Sequence, residues 1–312
     1  MKRIATLAAV LVAIAIIVAG SWLLYTQQIA DPDYAPAIAA PQWEGENPTL
    51  VVDAGHSNFH QIAGRFAPFA KLASHGGYQV ASTDEPLTAG NLSMDILVIA
   101  NAGKPLETAE IDAVVDWVEG GGSLLLIADH APFGGHASSL AERFGVGMGD
   151  GFVVTGPPDN VSGTIDFGGE LLGDHPITTG RATRPERIVS RVRSFLGQSL
   201  SAPAGAVPLL LLPDDAAEFA SRDAVNAYVD GGEEGVDVST RVQALAMEYG
   251  QGRIVVSGEA AMFTAQIQRG KPETRIAVTE ADNEAYVLNI LDWLARRVSD
   301  AQSLADSDSP PN

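Results

Sequence analysis

The hydrophobic positions of the chain form one long apolar run, followed by short runs that polar loops separate. The long run extends from Ile4 to Tyr25 and contains no charged residue. As a helix it would be about 33 Å long, at about 1.5 Å per residue, which is enough to cross the roughly 30 Å hydrocarbon core of a bilayer. We therefore predict a membrane-spanning helix and assign residues 1–30 to an N-terminal membrane anchor.

A cleaved signal peptide is the alternative for this run. Such a peptide has a shorter apolar core, of about 7–15 residues, with a small-residue cleavage site close behind it. Neither candidate site fits well, because Ala19-Gly20-Ser21 is followed by more apolar residues and Ala37-Ile38-Ala39 lies far from the run. The pattern favours an uncleaved anchor.

The charges on either side of the run predict its orientation. Lys2 and Arg3 precede it, whereas the first charged residues after it are Asp31 and Asp33. Basic flanking residues stay preferentially on the cytoplasmic side of a membrane. We expect a single-pass protein of the inner (cytoplasmic) membrane that spans it through residues 4–25, with its C-terminal domain outside the cytoplasm.

The rest of the chain divides into three parts. Residues 31–47 are rich in Pro and Ala without apolar periodicity, which predicts an extended tether. Residues 48–298 are assigned to one α/β domain with insertions, because their length is ordinary for a single domain. The polar residues 299–312 are predicted to form a disordered tail.

Short apolar runs alternate with amphipathic segments through the first half of this domain. Strands are predicted at Thr49–Val52, Tyr78–Ser82, Asp95–Ala100 and Ser123–Ala128, and helices at Phe66–Ser74 and Glu107–Glu119. The second half is predicted to contain a strand, a hairpin and a closing helix, at Pro208–Leu212, Val242–Tyr249 with Gly252–Ser257, and Asn283–Val298. This alternation indicates an α/β fold with a parallel sheet between layers of helices.

The composition excludes several classes of function. The 312 residues include 19 Lys plus Arg against 39 Asp plus Glu, for a net charge of -20. Nucleic acid is not an expected partner, because its phosphates repel such a chain. The chain has no Cys, which removes thiol nucleophiles, Cys-ligated metals and disulfides. Any chemistry must use His, carboxylate and hydroxyl groups.

Polar residues follow the predicted strands, and the carboxyl ends of parallel strands meet at one edge of a sheet, where ligands bind. We predict a His and carboxylate pocket at this edge. Its candidate catalytic residues are His56, His130, Asp129 and Glu259. Its candidate ligand-binding residues are Asp53, Asn58, His60, Arg65, Asn101 and His136.

These side chains are compatible with more than one chemistry. Nitrogen and oxygen ligands of this kind hold zinc, iron or manganese, so a divalent metal is a candidate cofactor. Alternatively, one His acts as a general base that a carboxylate orients. A third interpretation is that Asp53, Asn58, Asp129 and His130 cap helices and bond the loop backbone.

Other polar residues carry weaker signals. Ser57, Ser138 and Ser257 lack the strand-turn-helix elbow that exposes a serine nucleophile. His75 and His175 are predicted to be structural. The chain also has five arginines within a short segment, and we expect them to pair with its surplus acids rather than to grip an anion. They are Arg181, Arg184, Arg187, Arg191 and Arg193.

Several motifs of the domain resemble one family. They are Asp53-Ala-Gly-His-Ser-Asn-Phe-His60, Gly64-Arg-Phe-Ala-Pro-Phe69, Leu97-Val-Ile-Ala-Asn101, the segment Val118–Phe133, Asp174-His-Pro-Ile177 and Asn283-Glu-Ala-Tyr-Val-Leu-Asn289. Together they resemble the uncharacterised class I glutamine amidotransferase-like domain proteins, over most of residues 48–298. The resemblance implies a flavodoxin-like three-layer sandwich. Amidotransferases use a Cys nucleophile that this chain lacks, so it implies no glutaminase activity.

Two functions remain open at this point. The first is a membrane-anchored domain outside the cytoplasm that hydrolyses an unknown substrate in the predicted pocket. The second is a non-catalytic ligand-binding or scaffold domain of an envelope complex. The expected partner is accordingly a small molecule or an envelope protein. A serine on a strand-turn-helix elbow or a bound metal would favour the first function. A large exposed apolar patch without a convergent cluster of ionisable groups would favour the second.

Overall fold

A mixed β-sheet forms the centre of the molecule. The structure, a computed structural model, describes residues 27–40, 47–179 and 187–297. The parallel strands of this sheet are β2 (Thr49–Asp53), β3 (Gln79–Thr83), β4 (Ile96–Ala100), β5 (Ser123–Ile127) and β15 (Gly252–Ser257). They lie in the order β3-β2-β4-β5-β15. The predicted strands of the first half and the predicted parallel pairing are confirmed.

Helices cover both faces of these strands. They are α1 (Ala67–His75), α2 (Thr108–Glu119), α3 (Phe133–Arg143) and α6 (Asn283–Leu294). One core contains side chains of α1 and α6 and one face of the strands, and a second core contains side chains of α2, α3 and the opposite face. Because both faces are covered, β4 and β5 are buried along their whole length, which explains their continuous apolar sequences.

The sheet continues beyond β15 with antiparallel strands. Their bounds are β6 (Gly147–Met148), β10 (Leu200–Ser201), β11 (Val207–Leu211) and β14 (Val242–Tyr249). β14 and β15 form the predicted hairpin, and β14 also pairs with β10 and β11. The expectation of a purely parallel, flavodoxin-like sheet is therefore corrected: the fold is mixed α/β, with a mostly parallel central sheet.

The remaining elements form smaller sheets and short helices. The strands are β1 (Gln28–Ala30), β7 (Phe152–Val154), β8 (Thr164–Gly168), β9 (Arg191–Phe195), β12 (Ala217–Phe219), β13 (Val236–Asp237), β16 (Ala265–Gln268) and β17 (Lys271–Ala277). The short helices are α4 (Pro176–Thr179) and α5 (Arg222–Val229). Three small sheets result, with the strand orders β1-β16-β17, β13-β12-β7 and β8-β9.

The segment 31–40, predicted to belong to a free tether, packs on the domain instead. Tyr34 is buried, and its hydroxyl donates to Glu284 Oε1 of α6 at 2.9 Å. The backbone N–H groups of Ala37 and Ile38 donate to the same carboxylate at 2.9 and 2.8 Å. A buried carboxylate thus fixes a segment whose Pro and Ala content gave no sign of docking.

The predicted membrane-spanning run lies outside the described residues. Within the described ranges, no helix is long and apolar enough to cross a membrane. The predicted tail, residues 299–312, also lies outside them.

Candidate functional site

Asn101 joins three loops at the carboxyl edge of the parallel strands. Its backbone is left-handed, with φ 48°. Its side-chain amide donates to His60 Nδ1 at 3.0 Å and accepts the backbone N–H of Asp129 at 2.8 Å. Its carbonyl accepts the N–H of Phe59 at 2.9 Å. The loops that follow β2 and β5 are therefore held together through the residue that follows β4.

His56 lies between two carboxylates. Its Nδ1 is 2.8 Å from Asp53 Oδ2, and its Nε2 is 3.1 Å from Glu110 Oε2 on α2. Burial lowers the pKa of His56, but the hydrogen bonds to these carboxylates outweigh burial, so the pKa lies above its ordinary value. Asn58 Oδ1 accepts the His56 N–H at 3.1 Å. Both ring nitrogens of His56 are thus engaged within the protein.

His60 is buried among aromatic rings. Its ring lies 5.4 Å from the Phe59 ring and 5.1 Å from the Phe66 ring, measured between centroids. Burial, with a further contribution from the charge of Arg65, lowers the pKa of His60 to about 3. His60 is therefore neutral at physiological pH and orients Asn101 instead of exchanging protons with a ligand.

Asp129 and His130 form the more accessible pair of the predicted catalytic set. Their side chains are 13% and 23% exposed, and His130 Nε2 lies 3.9 Å from Asp129 Oδ1. The His130 ring stacks on Phe152, with 4.3 Å between centroids. Burial raises the pKa of Asp129 to about 6, against the opposing effects of His130, Asn101 and Arg222. The pKa of this carboxyl group therefore lies well above the ordinary value of an aspartate.

Glu259 supports a turn and does not face a ligand. It is fully buried, its Oε1 accepts the N–H of Ala261 at 2.6 Å, and its Oε2 accepts the N–H of Met262 at 2.8 Å. Burial and the charge of Asp129 raise the pKa of Glu259. Its oxygens are engaged by the short 3₁₀ helix that starts at Ala261, so it is not available as an acid or base in this conformation.

His136 lies on the first turns of α3, which was predicted to be a loop. Its Nδ1 donates to the carbonyl of Ala102 at 3.0 Å. The glycine pair at 134 and 135 concealed this helix, because glycine lowers helix propensity. Close packing requires a glycine at position 134, since a Cβ there would lie 1.7 Å from the Gly149 carbonyl oxygen.

The donor set for a divalent metal is not assembled. Among the residues that the structure describes, no group of three or more His, Asp and Glu side chains could hold a metal ion. The hydrogen bonds above give the reason, since His56, His60 and Glu259 are each turned toward a different partner within the protein. The fit of these residues to a metal is therefore poor.

A cavity lies beside the loop that follows β2. It has a volume of about 750 Å³ and lies between β1, this loop and the start of α1. Arg65, Lys71 and Arg269 line it, together with Phe59, and its one acidic lining residue among those described is Asp31. We call it the Arg65 cavity. Of the predicted site residues, only Arg65 and Asn58 line it.

Arg65 lacks a carboxylate partner among the described residues. Its Cζ lies 3.8 Å from the centroid of the Phe59 ring, and its Nε is buried without a hydrogen bond. Asp31 does not neutralise it, because Asp31 Oδ2 accepts Arg275 Nε at 2.7 Å. Burial lowers the pKa of the Arg65 guanidinium. The cavity therefore has a net positive lining.

Two further cavities flank the carboxyl edge. One, of about 640 Å³, is lined by His56, Glu110 and Lys104. The other, of about 660 Å³, is lined by Phe152 and Arg222 on the side of Asp129 and His130. Neither of these two cavities is lined by His56 together with Asp129 or His130. The single pocket stays a prediction.

The remaining predicted residues have structural partners. Arg187 pairs with Asp292, and both Arg191 and Arg193 pair with Asp166. This agrees with the pairing predicted from the surplus of acidic residues in the chain. Arg181 and Arg184 lie outside the described residues.

The predicted structural histidines also have partners in the fold. His75 Nε2 lies 2.8 Å from the Ile38 carbonyl oxygen, and His175 Nδ1 accepts the N–H of Ile177 at 3.2 Å. Neither histidine belongs to the edge described above.

Sequence reasoning missed Glu110, Lys71 and Arg269. Glu110 is part of a capping box, in which its Oε2 accepts the Glu107 N–H at 3.0 Å. The Glu-x-x-Glu spacing at the start of α2 was a usable signal for a cap, but nothing local indicated that the same carboxylate would reach His56. Lys71 and Arg269 are 198 residues apart in sequence and meet only through the tertiary fold.

Comparison with known proteins identifies a fold and no family. No family model matches the sequence, and no curated protein matches it. Among solved structures, the mmIFT52 N-terminal domain matches with a TM-score of 0.57 and 16% identity, covering 80% of this chain and 98% of that one. A cytoplasmic protein from Salmonella typhimurium LT2 matches with a TM-score of 0.48 and 15% identity, covering 79% and 98%.

A ThuA-like protein from Bacteroides uniformis matches with a TM-score of 0.45 and 13% identity, covering 81% of this chain and 94% of that one. The expected resemblance to the glutamine amidotransferase-like family is therefore wrong: no model of such a family matches, and the sheet is mixed. At such low identity, the likeness to the mmIFT52 domain shows that this chain has an α/β fold of that kind.

Proposed function

We propose that this chain is a non-catalytic binding domain that takes a small organic anion in the Arg65 cavity. A volume of about 750 Å³ is within the range that accommodates small-molecule ligands. Apolar lining residues such as Ile29 and Pro68 accompany the cations. A ligand with one anionic group and an apolar part matches this lining.

The observation that carries the proposal is the unpaired guanidinium of Arg65. A chain with 39 acidic and 19 basic residues has many carboxylates available, and yet none pairs with Arg65 among the described residues. Leaving a partly buried cation without a hydrogen-bonded counter-charge costs free energy. A carboxylate or phosphate would satisfy its planar fork with two hydrogen bonds.

The start of α1 adds a second favourable contribution. Ala67 and Pro68 line the cavity, and no side chain caps the helix at Phe66. The backbone of a helix start favours negative charge. The Ala67 N–H already donates to the Gly64 carbonyl at 3.1 Å and Pro68 has no N–H, so α1 would act on an anion through its dipole and not through these hydrogen bonds.

The fate of the predicted catalytic residues also favours binding over catalysis. His56 and Glu259 are buried with their polar atoms engaged within the protein. A general base must reach a substrate proton within hydrogen-bonding distance, and neither side chain is placed for this.

Binding is tested with a panel of anions on the full-length protein in a nonionic detergent. Acetate, hexanoate, sulfate and glycerol 3-phosphate are titrated calorimetrically into the wild type, Arg65→Met and Arg143→Met. Charge-assisted hydrogen bonds contribute about 1.5–3 kcal/mol, so Arg65→Met should weaken binding by about 10- to 150-fold. Arg143→Met is the control, because it removes the same charge from α3, where Arg143 pairs with Asp112.

The proposal fails if no anion of the panel binds the wild type, or if both variants bind equally well. Loss of binding in Arg65→Met alone, with an unchanged melting temperature, supports it.

We also propose that the domain is held at the inner membrane through residues 4–25, outside the cytoplasm. Support comes from the charge-free apolar run and from the placement of Lys2 and Arg3 before it. A reporter fused after residue 312 should be active only outside the cytoplasm. Activity of a cytoplasmic reporter at that position would reverse this topology.

A hydrolytic activity is the second candidate, and Asp129 is the observation that favours it. A carboxyl group whose pKa lies at about 6, next to His130, is typical of acid–base sites. Hydrolysis of chromogenic esters, phosphates or glycosides by the wild type, lost in Asp129→Asn and retained in Asp150→Asn, would support it. Equal rates in both variants would exclude Asp129 as the acid–base group.

A further inference from the structure

We propose that the anion bound in the Arg65 cavity is the phosphate of a membrane lipid headgroup, a glycerophosphate ester presented by the bilayer. This inference rests on the proposed function, since it names the ligand of the same cavity and uses the proposed membrane anchor. It is carried by the position of the cavity along the chain and by the identity of its lining.

The cavity begins almost where the proposed membrane span ends. Gln27 and Gln28 line it, and Tyr25 is the last residue of the apolar run. Three residues extend at most about 11 Å, at about 3.6 Å per residue, so Gln28 is close along the chain to the end of the proposed span. The headgroup layer of one leaflet is roughly 5–8 Å thick. The lining of the cavity therefore starts at the level of the headgroups or directly above it.

The rim of the cavity is not a loose continuation of the anchor. β1 pairs with β16 in the register Gln28–Gln268 to Ala30–Gln266, and the N–H of Arg269 donates to the carbonyl of Gln27 at 3.1 Å. These backbone bonds hold the exposed Arg269 next to Gln27, the second residue after the proposed span. A cation of the domain is thereby kept close to the bilayer surface.

The charge of the lining is opposite to that of the chain as a whole. Arg65, Lys71 and Arg269 face one acid, Asp31, which Arg275 already neutralises. Each basic residue near an anionic membrane surface contributes about 1 kcal/mol of attraction. A net charge of -20 opposes general adsorption to anionic lipid, so recognition has to be local.

The arrangement of donors suits a phosphate ester. The Arg65 guanidinium, stacked on Phe59, presents its edge as a planar fork for two phosphate oxygens. Lys71 Nζ donates to the Tyr34 carbonyl at 2.6 Å, which leaves donors of the same ammonium for a third oxygen. The apolar lining next to them is suited to the glycerol and the first methylenes of a lipid.

The test uses the full-length protein purified in maltoside micelles. Phosphatidylglycerol is doped into the micelles, and bound lipid is measured as protein-associated phosphorus after gel filtration. Soluble glycerol 3-phosphate and inorganic phosphate are titrated separately, because they supply the same chemistry without a membrane. The variants are Arg65→Gln and Arg269→Gln, with Arg143→Gln as the charge-matched control.

We expect the wild type to bind phosphatidylglycerol at least tenfold more tightly than glycerol 3-phosphate. Arg65→Gln and Arg269→Gln should each weaken lipid binding at least tenfold, and Arg143→Gln less than twofold. Because Arg269 is exposed at the rim, its substitution keeps the test informative even if Arg65→Gln perturbs folding.

Each of the following outcomes contradicts either the lipid inference alone or the proposed binding function as well. If glycerol 3-phosphate binds as tightly as the lipid, the ligand is a free phosphate ester, and the lipid inference fails while the binding function stands. If hexanoate or acetate binds through Arg65 but the lipid does not, the inference also fails alone. If no anion binds the wild type, both the inference and the proposed function fail.

Discussion

Replacing His56 by alanine should cost the domain about 3–5 kcal/mol of unfolding free energy at pH 6. The estimate follows from what the ring leaves behind. Its two nitrogens hold Asp53 and Glu110, whose side chains are 0% and 12% exposed, at 2.8 and 3.1 Å. Removing one member of a buried ion pair typically costs this amount, because the remaining charge stays buried without compensation.

The cost should depend on pH with a definite sign. The folded-state pKa of His56 lies above its unfolded value of about 6.5, so the folded state binds the proton more tightly. The contribution is fully present below about pH 6.5 and is lost as the pH rises through the higher folded-state pKa. The difference between wild type and His56→Ala should therefore be larger at pH 6 than at pH 9.

Urea unfolding at pH 6 and pH 9, followed by fluorescence, measures both quantities. His136→Ala is the matched control, because His136 is only partly buried and bonds only the Ala102 carbonyl in the described structure. Its cost should stay below about 1 kcal/mol at both pH values. An equal cost of His56→Ala at the two pH values, or a cost below about 1 kcal/mol at pH 6, would refute the ion-pair interpretation.

Three further predictions concern single positions at the same edge. The folded-state pKa of Asp129, at about 6, lies above its unfolded value, so the contribution of its protonated form to stability is lost as the pH rises from about 4 to 6. Asp129→Asn should therefore stabilise the protein at pH 8 but not at pH 4, as measured by urea unfolding. Asn101→Ala should be about 1 kcal/mol less stable than Asn101→Gly, because φ 48° suits glycine; the reverse order in thermal melts would contradict this. Gly134→Ala should cost about 2–3 kcal/mol of unfolding free energy, since its Cβ would lie 1.7 Å from the Gly149 carbonyl oxygen. Gly149→Ala is the control: its Cβ would have no atom within 4 Å, so it should change stability by less than about 0.5 kcal/mol. Equal melting temperatures of the two variants would argue against the close approach.

Much of the parallel half of the fold could be predicted because its signals are local. Val118 and Ile111 recur at helical spacing within α2, and the unbroken apolar run of β5 can be satisfied only between two covered faces. Alternation of such segments restricts the topology to a few choices, since parallel strands need crossover helices. The periodicity of the chain therefore indicated the class of the fold.

The candidate site was harder to predict, because type and position in a loop do not specify a partner. His56 and His60 are four residues apart and follow the same strand, and yet one has a raised pKa between two carboxylates and the other a lowered pKa among aromatic rings. Their environments come from α2, at Glu110, and from Phe66 at the start of α1. The site is assembled from tertiary neighbours that no local pattern reveals.

The pairing of the two ends of the described chain has a consequence for how the domain reaches its native state. Tyr34 and Glu284, which are hydrogen-bonded, are 250 residues apart in sequence, and β5 pairs with β15 through residues that are 130 apart, Ser123 and Arg253. Contacts of this range form only after a large loss of chain entropy, so proteins rich in them fold slowly. Until α6 has been synthesised, the apolar face of β5 that it contacts, with Leu125 and Ile127, lacks this cover. The nascent domain thus cannot complete this core until nearly all of it has been made.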